Sequence, residues 1–376
     1  MPIGPFRKKP SGPRGLSLAL QGGGAHGAFE WGILDRLLED ESIEIKAVTA
    51  ASAGAMNAVC LAHGLAEGGA EGGRAKARET LEAFWRGTNR AGGQNVFGDS
   101  SIWTKAFAGP DWLKNTPGWR MAETFAMSLS PYEFNPFNLN PLHDILEAAV
   151  NFKAIRERSP IKLYIAATAV RQSKAKIFRE TELTAKHIMA SACLPQVFQA
   201  VEIDGEPYWD GGFLANPPLW PLFYDDTPDD ILVVSLNPFV REETPKSPGE
   251  IMDRLNEITF NASLASELRA IAFVHKLLDE GLLKESARGR YRRMLIHAIA
   301  AEEWLADLTM DTKFNTEWSF LQDLRARGRK AAEEWQCDHP DERGAPGHVM
   351  VDPRRRWCVL PFHPIWLTMA RFNRAF

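Results

Sequence analysis

The fold is decided by residues 16–59, which read LSLALQGGGAHGAFEWGILDRLLEDESIEIKAVTAASAGAMNAV. The short apolar run at 16–21 ends in three glycines, which predicts a strand followed by a tight turn. Apolar residues at helical spacing predict a helix at 28–39, a second strand is predicted at 45–50, and a second helix at 53–64. Two successive strand–turn–helix units are typical of an α/β fold with a largely parallel sheet.

The rest of the chain extends this alternation. The run at 231–236 is almost entirely apolar, as expected of a strand covered on both faces. The other predictions are hairpins at 163–179 and 201–209, a helix at 184–192, a glycine-rich loop at 66–73, and helix-rich stretches at 252–283 and 300–335. We therefore expect a three-layer α/β/α domain at 16–240, with a flexible arm at 1–15, a cap-like insertion at about 65–160, and a helical extension at 241–376 packed on or next to the domain.

The composition is that of an ordinary globular protein and argues against several classes of function. The 376 residues include 44 basic and 48 acidic side chains, a formal net charge of −4, so nothing indicates a nucleic-acid partner. The four cysteines lack metal-ligand spacing, and we predict no metal and no diffusible cofactor. Neither the apolar core of a signal peptide nor a run of about 18 apolar residues occurs, so we expect a cytoplasmic protein, with peripheral membrane contact left open.

A glycine-rich loop joins the first predicted strand to the first predicted helix. Gly22, Gly23, Gly24 and Gly27 let the backbone approach a ligand closely, and the helix after them presents unpaired N–H groups. The loop is therefore a predicted site for an anion, either a phosphate or a transient oxyanion. The glycines also fit the dinucleotide pattern G-x-G-x-x-G, but that pattern needs an acidic residue at the end of the second strand, where this chain has Ser52. A tight turn without chemistry is the remaining interpretation.

Ser52 directly follows the second predicted strand and precedes the second helix. Its surroundings, Ala50-Ala51-Ser52-Ala53-Gly54, match the nucleophile-elbow pattern G-x-S-x-G with alanine in the first position. Small neighbours are needed there because a strand that turns sharply into a helix leaves no room for larger side chains. The pattern predicts a nucleophilic serine, and a serine that merely caps the helix is the alternative.

Asp210 lies in the sequence Tyr208-Trp209-Asp210-Gly211-Gly212. By itself, an aspartate followed by two glycines after an aromatic strand usually marks a hairpin turn. With a nucleophile elbow upstream, Asp210 becomes a candidate general base. A carboxylate is a weak base in water, so this role requires a partly dry site that raises its pKa.

These three motifs, in this order, resemble the patatin-like phospholipases. The resemblance covers residues 16–64 and about 163–219, including the segment Ala190-Ser-Ala-Cys-Leu-Pro195 ahead of Asp210. It implies a Ser–Asp dyad without a catalytic histidine, in which Ser52 is the nucleophile and Asp210 the general base and acid. It also implies an oxyanion hole at Gly22, Gly23 and Gly24, supported by His26, Gly27, Gly54, Gly211 and Gly212.

The substrate implied by this resemblance is a lipid carboxylic ester. The alternatives are another hydrophobic ester such as a polyhydroxyalkanoate, a nucleotide bound by the glycine loop, and a scaffold without catalysis. The protein would meet a lipid surface by peripheral contact. The basic and aromatic segment at 354–376 is a candidate for this contact, and the other interpretation of that segment is a solvated helix face. The aromatic stretch at 97–137 is either core or a lid over the site.

Two positions depart from the family pattern. Ala50 replaces the first glycine of the elbow, and His26 stands where many members have an arginine that assists the anion loop. Three interpretations of His26 are open: support of the loop, simple packing, or the base of a Ser–His–Asp triad.

Overall fold

The computed structural model describes residues 13–93, 130–284 and 291–338. In this part of the chain one mixed sheet contains eight strands: β1 (Arg14–Leu20), β2 (Ile43–Ala51), β3 (Lys162–Ala169), β4 (Lys174–Arg179), β5 (Val201–Ile203), β6 (Glu206–Asp210), β7 (Asp230–Val234) and β8 (Leu295–Ile299). Their order is β5-β6-β3-β2-β1-β7-β8, and β4 pairs with β3. The pairings from β3 through β2, β1 and β7 to β8 are parallel, whereas β4, β5 and β6 are antiparallel to their neighbours. The predicted α/β class with a mostly parallel sheet is confirmed.

Helices cover both faces of this sheet. In the described residues they are α1 (Gly27–Leu37), α2 (Ala53–Gly93), α3 (Pro131–Phe134), α4 (Pro141–Ala149), α5 (Phe152–Arg158), α6 (Ala185–Ser191), α7 (Trp220–Tyr224), α8 (Pro248–Asp279), α9 (Ala301–Trp304) and α10 (Trp318–Asp338). Successive side chains of a strand point to opposite faces. Leu18 and Leu20 of β1 therefore join the core under α1, α2 and α10, while Ala19 packs with residues of α7 and α8. The result is the expected three-layer α/β/α arrangement.

The loop predicted at 66–73 is wrong, because α2 is helical on both sides of a single turn residue. Gly69 has φ 61° and ψ −158°, and the chain reverses there. The two arms pack closely against each other: a Cβ on Gly64 would overlap the Cα of Ala77. The glycines of this stretch thus allow two helices to approach, and composition alone does not distinguish that use from a flexible loop.

The predicted domain limits can be compared with the structure at three places. The second arm of α2, which lies in the predicted cap, packs its buried residues Leu81 and Phe84 on the main core. Residues 94–129 lie outside the described residues, and the lid interpretation of the aromatic stretch stays a prediction. Strand β1 begins at Arg14, inside the arm predicted at 1–15. Residues 339–376, with the basic and aromatic C-terminus, also lie outside the description.

The segment after residue 240 belongs to the same sheet and core. It contributes β8, a parallel edge strand beside β7 that no sequence pattern indicated, as well as α8 and α10 in the two ranges predicted to be helix-rich. Helix α10 crosses α1 at very short range, since a Cβ on Gly32 would overlap the backbone of Arg325, and one on Gly328 would overlap the carbonyl oxygen of Phe29. None of the helices in the described ranges is long and apolar enough to cross a membrane.

An acidic side chain reinforces this crossing. Asp35 of α1 is buried and accepts hydrogen bonds from Arg78 of α2 (2.6 Å) and from Arg325 (2.9 Å) and Arg329 (2.5 Å) of α10. Burial opposes its ionisation, but the hydrogen bonds and charges of the three guanidinium groups hold the pKa of Asp35 below its ordinary value. The C-terminal helix is thus fixed to the two helices that flank the glycine loop and the serine.

We expect Gly328→Ala to lower the free energy of unfolding by about 1–3 kcal/mol, because the added methyl group must push α10 away from α1. Gly72→Ala is the matched control, since a Cβ at Gly72 of α2 meets nothing within 4 Å. This control should be neutral or gain about 0.5 kcal/mol from better helix propensity. Urea denaturation followed by circular dichroism measures both. Equal stability of the two variants would show that the α1–α10 crossing tolerates the methyl group.

Candidate active site

Ser52 occupies a sharp turn between β2 and α2. Its φ is 53°, a left-handed conformation that costs energy for a residue with a side chain and is often found at functional sites. The backbone N–H of Ser52 donates to Ser191 Oγ at 3.0 Å. This bond comes from the end of α6, so a second element holds the strained turn in place. Ser52 is buried, with 8% of its surface exposed.

Strand register brings Asp210 beside this serine. On β3, Ala166 pairs with Ala51 at the end of β2, and the next residue, Ala167, pairs with Asp210 at the end of β6. β2 ends at this point, and β6 continues the pairing along β3. The last residues of the two strands therefore meet at the edge where Ser52 begins its turn.

Backbone contacts fix the Asp210 carboxylate in a dry position. The residue is fully buried, and its Oδ1 accepts from the N–H of Gly212 at 2.7 Å. Its own N–H donates to the carbonyl of Cys193 at 2.8 Å, and its carbonyl accepts from Thr168 Oγ1 at 2.8 Å. Oδ2 is buried and has no hydrogen-bond partner of good geometry among the described residues.

Burial raises the pKa of Asp210 to about 6. The Ser52 hydroxyl, the Gly212 N–H and the charge of Lys313 oppose this rise by favouring the carboxylate. The Ser52 hydroxyl is thus close enough to Asp210 to lower its pKa, although the contact falls short of a well-aligned hydrogen bond. Such loose contacts are common between a nucleophile and its base when no substrate is bound.

The glycine loop lies directly against the serine. A Cβ on Gly22 would be 2.6 Å from Ser52 Cβ, so only glycine fits there. Gly24 has φ 60°, and a Cβ on it would lie 2.5 Å from the carbonyl oxygen of Lys313. The N–H of Gly22 already donates to Asn216 Oδ1 at 2.6 Å, whereas the N–H groups of Gly23 and Gly24 have no partner within the described residues. Two of the three predicted oxyanion donors therefore have no hydrogen-bond partner in the part of the chain that the structure describes.

The remaining glycines of the predicted site line the same region. Neighbouring atoms leave no room for a Cβ at Gly27, Gly54, Gly211 or Gly212. Gly54 lies on the backbone of Leu20 at the end of β1, and Gly211 lies on the backbone of Ala166 in β3, the residue that pairs with the end of β2. Both contacts pack the turns around Ser52 and Asp210 onto the central strands.

His26 is neutral and lies against Thr312. The Thr312 hydroxyl donates to the carbonyl of Thr309 at 2.6 Å, so its contact of 2.7 Å with His26 requires the proton on His26 Nε2. Nδ1 is then an unprotonated nitrogen, buried without a hydrogen-bond partner among the described residues. Burial and the nearby charge of Lys313 lower the pKa of His26 to about 3. This arrangement fits support of the loop and packing, and it makes His26 a very weak base.

Several residues of the site had no sequence signal of their own. Ser191 and Cys193 lie in the segment quoted for the family resemblance, and the structure shows that they hold the backbones of Ser52 and Asp210. Asn216 and Asn237 come from distant parts of the chain and hydrogen-bond to Gly22 of the glycine loop, and Lys313 hydrogen-bonds to Asn237. Only the folded chain brings them together. The described residues contain no group of three or more His, Cys, Asp or Glu side chains able to hold a metal ion.

A strand–serine–helix turn, a buried carboxylate and a glycine loop thus meet at the carboxyl ends of the parallel strands. Residues 18–223 match the family model of the patatin-like phospholipases, and because this match spans more than half of the chain, the protein belongs to that family. At the level of the family, this means lipid acyl hydrolase activity.

Two further comparisons complete this result. Among solved structures, VipD from Legionella pneumophila is similar, with 15% sequence identity and a TM-score of 0.39 over 87% of this chain and 67% of the VipD chain. A comparison with curated protein sequences gave no match.

Proposed function

We propose that this protein hydrolyses the carboxylic esters of lipids through an acyl-enzyme, with Ser52 as nucleophile and Asp210 as general base. The observation that carries the proposal is the strained turn at Ser52, where φ is 53°, pressed against Gly22 and placed by strand register beside a fully buried aspartate. A residue held in this conformation by surrounding structure is a sign of function. The dry carboxylate supplies the second half of the chemistry.

In the first step Asp210 accepts the Ser52 proton while Oγ forms a bond to the ester carbonyl carbon. The carbonyl oxygen becomes an oxyanion, for which the free N–H groups of Gly23 and Gly24 are the available donors. The carbon–oxygen bond to the alcohol then breaks, and the alcohol leaves with the proton from Asp210. Water attacks the acyl-enzyme in the same way, gives its proton to Asp210, and the acid is released as Ser52 Oγ recovers that proton.

The charge state of Asp210 suits this role. A pKa of about 6 leaves the group ionised at neutral pH and makes it a stronger base than an exposed aspartate. Its Oδ2 has no other hydrogen bond among the described residues, so it is free to accept the serine proton.

The glycine loop supports ester chemistry over nucleotide binding. Gly22 packs against Ser52 Cβ and its N–H is bound to Asn216, so the loop is closed onto the elbow at the point where a pyrophosphate would approach. The end of β2 is Ala51, and no carboxylate stands there for a ribose. A polyester or another hydrophobic ester would use the same dyad, and the choice of substrate rests on residues around it.

The first test is labelling of the native protein with a fluorescent fluorophosphonate, followed by mass mapping of the adduct. We expect one adduct, on Ser52, because an activated serine with free oxyanion donors attacks the phosphorus atom. Phospholipid, triglyceride and polyhydroxyalkanoate substrates added in competition then rank the candidate esters by the protection they give. A folded protein that remains unlabelled, or that carries the adduct on another serine, would contradict the proposal.

A further inference from the structure

A short segment from beyond the family match packs on the glycine loop. The 3₁₀ turn Met310–Phe314 lies against the 3₁₀ turn Gly24–His26 that follows the loop. Two contacts fix it there: Thr312 binds His26, and the carbonyl of Lys313 lies over Gly24 so closely that a Cβ there would be 2.5 Å away. The matched region ends at residue 223, so this segment is an addition to the part of the chain that defines the family.

The same segment places the ammonium group of Lys313 near the glycine loop. Lys313 Nζ donates to Asn237 Oδ1 at 2.5 Å, and Asn237 Nδ2 donates to the carbonyl of Gly22 at 3.1 Å. The backbone N–H of Asn237 in turn donates to Gln21 Oε1 at 2.8 Å. The lysine thus acts on the Gly22 peptide through one asparagine that is itself held at three points.

The ammonium group lies among charged groups from several elements. Those that face it are Glu257 and Asp253 of α8, Arg241 after β7, Asp210 of β6 and His26 of the loop. Glu257 is already shared by Arg241 (2.6 Å) and Arg254 (2.9 Å), so it does not neutralise Lys313 by itself. Burial lowers the pKa of Lys313 to about 8, and its positive charge favours the ionised form of Asp210.

We propose that Lys313 is a positioning residue of the esterase site, which fixes the Gly22 peptide through Asn237 and adds a positive charge that favours the carboxylate of Asp210. The inference rests on the proposed function and adds to it a group from the C-terminal part of the chain. His26, which is neutral, cannot supply this charge. Lys313 therefore ties the oxyanion loop and the base to a segment outside the catalytic motifs.

The proposal predicts the pH dependence of the site. Reactivity of Ser52 should rise with pH as Asp210 ionises around 6, and it should fall as Lys313 loses its proton around 8. Without the lysine charge the pKa of Asp210 should be higher, so the rise in reactivity, the acid limb of the profile, should shift to higher pH. The fall in reactivity around pH 8, the alkaline limb, should be absent from a variant that has no lysine to lose its proton.

The test is the rate of fluorophosphonate labelling between pH 5 and pH 10 for the native protein, Lys313→Met, Lys313→Arg and the surface control Lys174→Met. We expect Lys313→Met to label about 10- to 100-fold more slowly at pH 7 and to show both changes of the profile. Lys313→Arg should keep most of the rate and extend the plateau beyond pH 8, because a guanidinium stays charged. Lys174→Met, on the exposed strand β4, should match the native profile.

The outcomes separate this proposal from the one on which it rests. If the native protein is folded and does not label, the proposed function is wrong, and with it this inference. If the native protein labels and Lys313→Met has the native rate and both native limbs, the role of Lys313 is overturned while the dyad stands. Should Lys313→Met fail to fold by circular dichroism, Lys313→Arg decides, since an alkaline limb that stays near pH 8 in that variant overturns the proposal.

Discussion

Ser52→Ala is expected to lower the rate of ester hydrolysis by about 10⁴-fold or more, because the substitution removes the only atom that forms the acyl-enzyme. The fold should survive, since alanine has the same Cβ at the position with φ 53° and the Ser191 bond is made to the backbone. The measurement is the initial rate on a chromogenic short-chain ester and on phospholipid vesicles, together with thermal melting by circular dichroism.

Ser266→Ala is the matched control for this experiment. Ser266 is an exposed residue of α8, and its hydroxyl only bonds to the carbonyl of Ala262 in the preceding turn and to Arg269. It should keep the native rate on both substrates. Hydrolysis by a folded Ser52→Ala protein at more than a few per cent of the native rate would mean that another group is the nucleophile, and the strained turn would need a different explanation.

The sequence predicted the part of the site that is local. The strands, turns and helices around Gly22, Ser52 and Asp210 each have a short-range cause: an apolar run, a row of glycines, small residues at an elbow. Their meeting point also follows, because the carboxyl ends of parallel strands share one edge of the sheet. What the sequence did not give is the exact register on β3 that brings Asp210 next to the end of β2.

The parts that were missed depend on contacts between distant residues. Strand β8 has the sequence LIHAI, too short and too polar in the middle to be distinguished, and it becomes a strand by pairing with β7. Lys313 has no motif around it and gains its role from Asn237 and the glycine loop. The glycines of α2 have the composition of a loop, but Gly64, Gly68 and Gly73 lie where the two helical arms pack closely, and Gly69 forms the turn between the arms.

Asp210→Asn is expected to lower hydrolysis by about 10³- to 10⁴-fold, since an amide cannot accept the serine proton. The variant should lack the rise in rate near pH 6 that we expect of the native protein as Asp210 ionises. Initial rates between pH 4.5 and pH 8 measure both effects. An Asn variant with native activity, or a native profile without a limb in this range, would remove Asp210 from the role of base.

The same substitution should make the protein more stable, and the sign of that effect follows from the pKa. The pKa of Asp210 is raised in the folded state to about 6 from 3.8, so ionising this buried group costs stability above pH 4. The cost grows as the pH rises from about 4 to 6 and is then constant, at roughly 3 kcal/mol for a shift of about two pH units.

Asparagine carries no charge at any of these pH values and avoids the cost. Urea denaturation should therefore show Asp210→Asn and the native protein with similar stability near pH 4, and the variant more stable at pH 7. A gap that does not change with pH would mean that the carboxylate is not desolvated, and the case for a strengthened base would fail with it. We therefore expect Asp210→Asn to gain stability and lose activity. This combination is expected of a buried charged group that is needed for catalysis, because the folded protein is more stable without the charge.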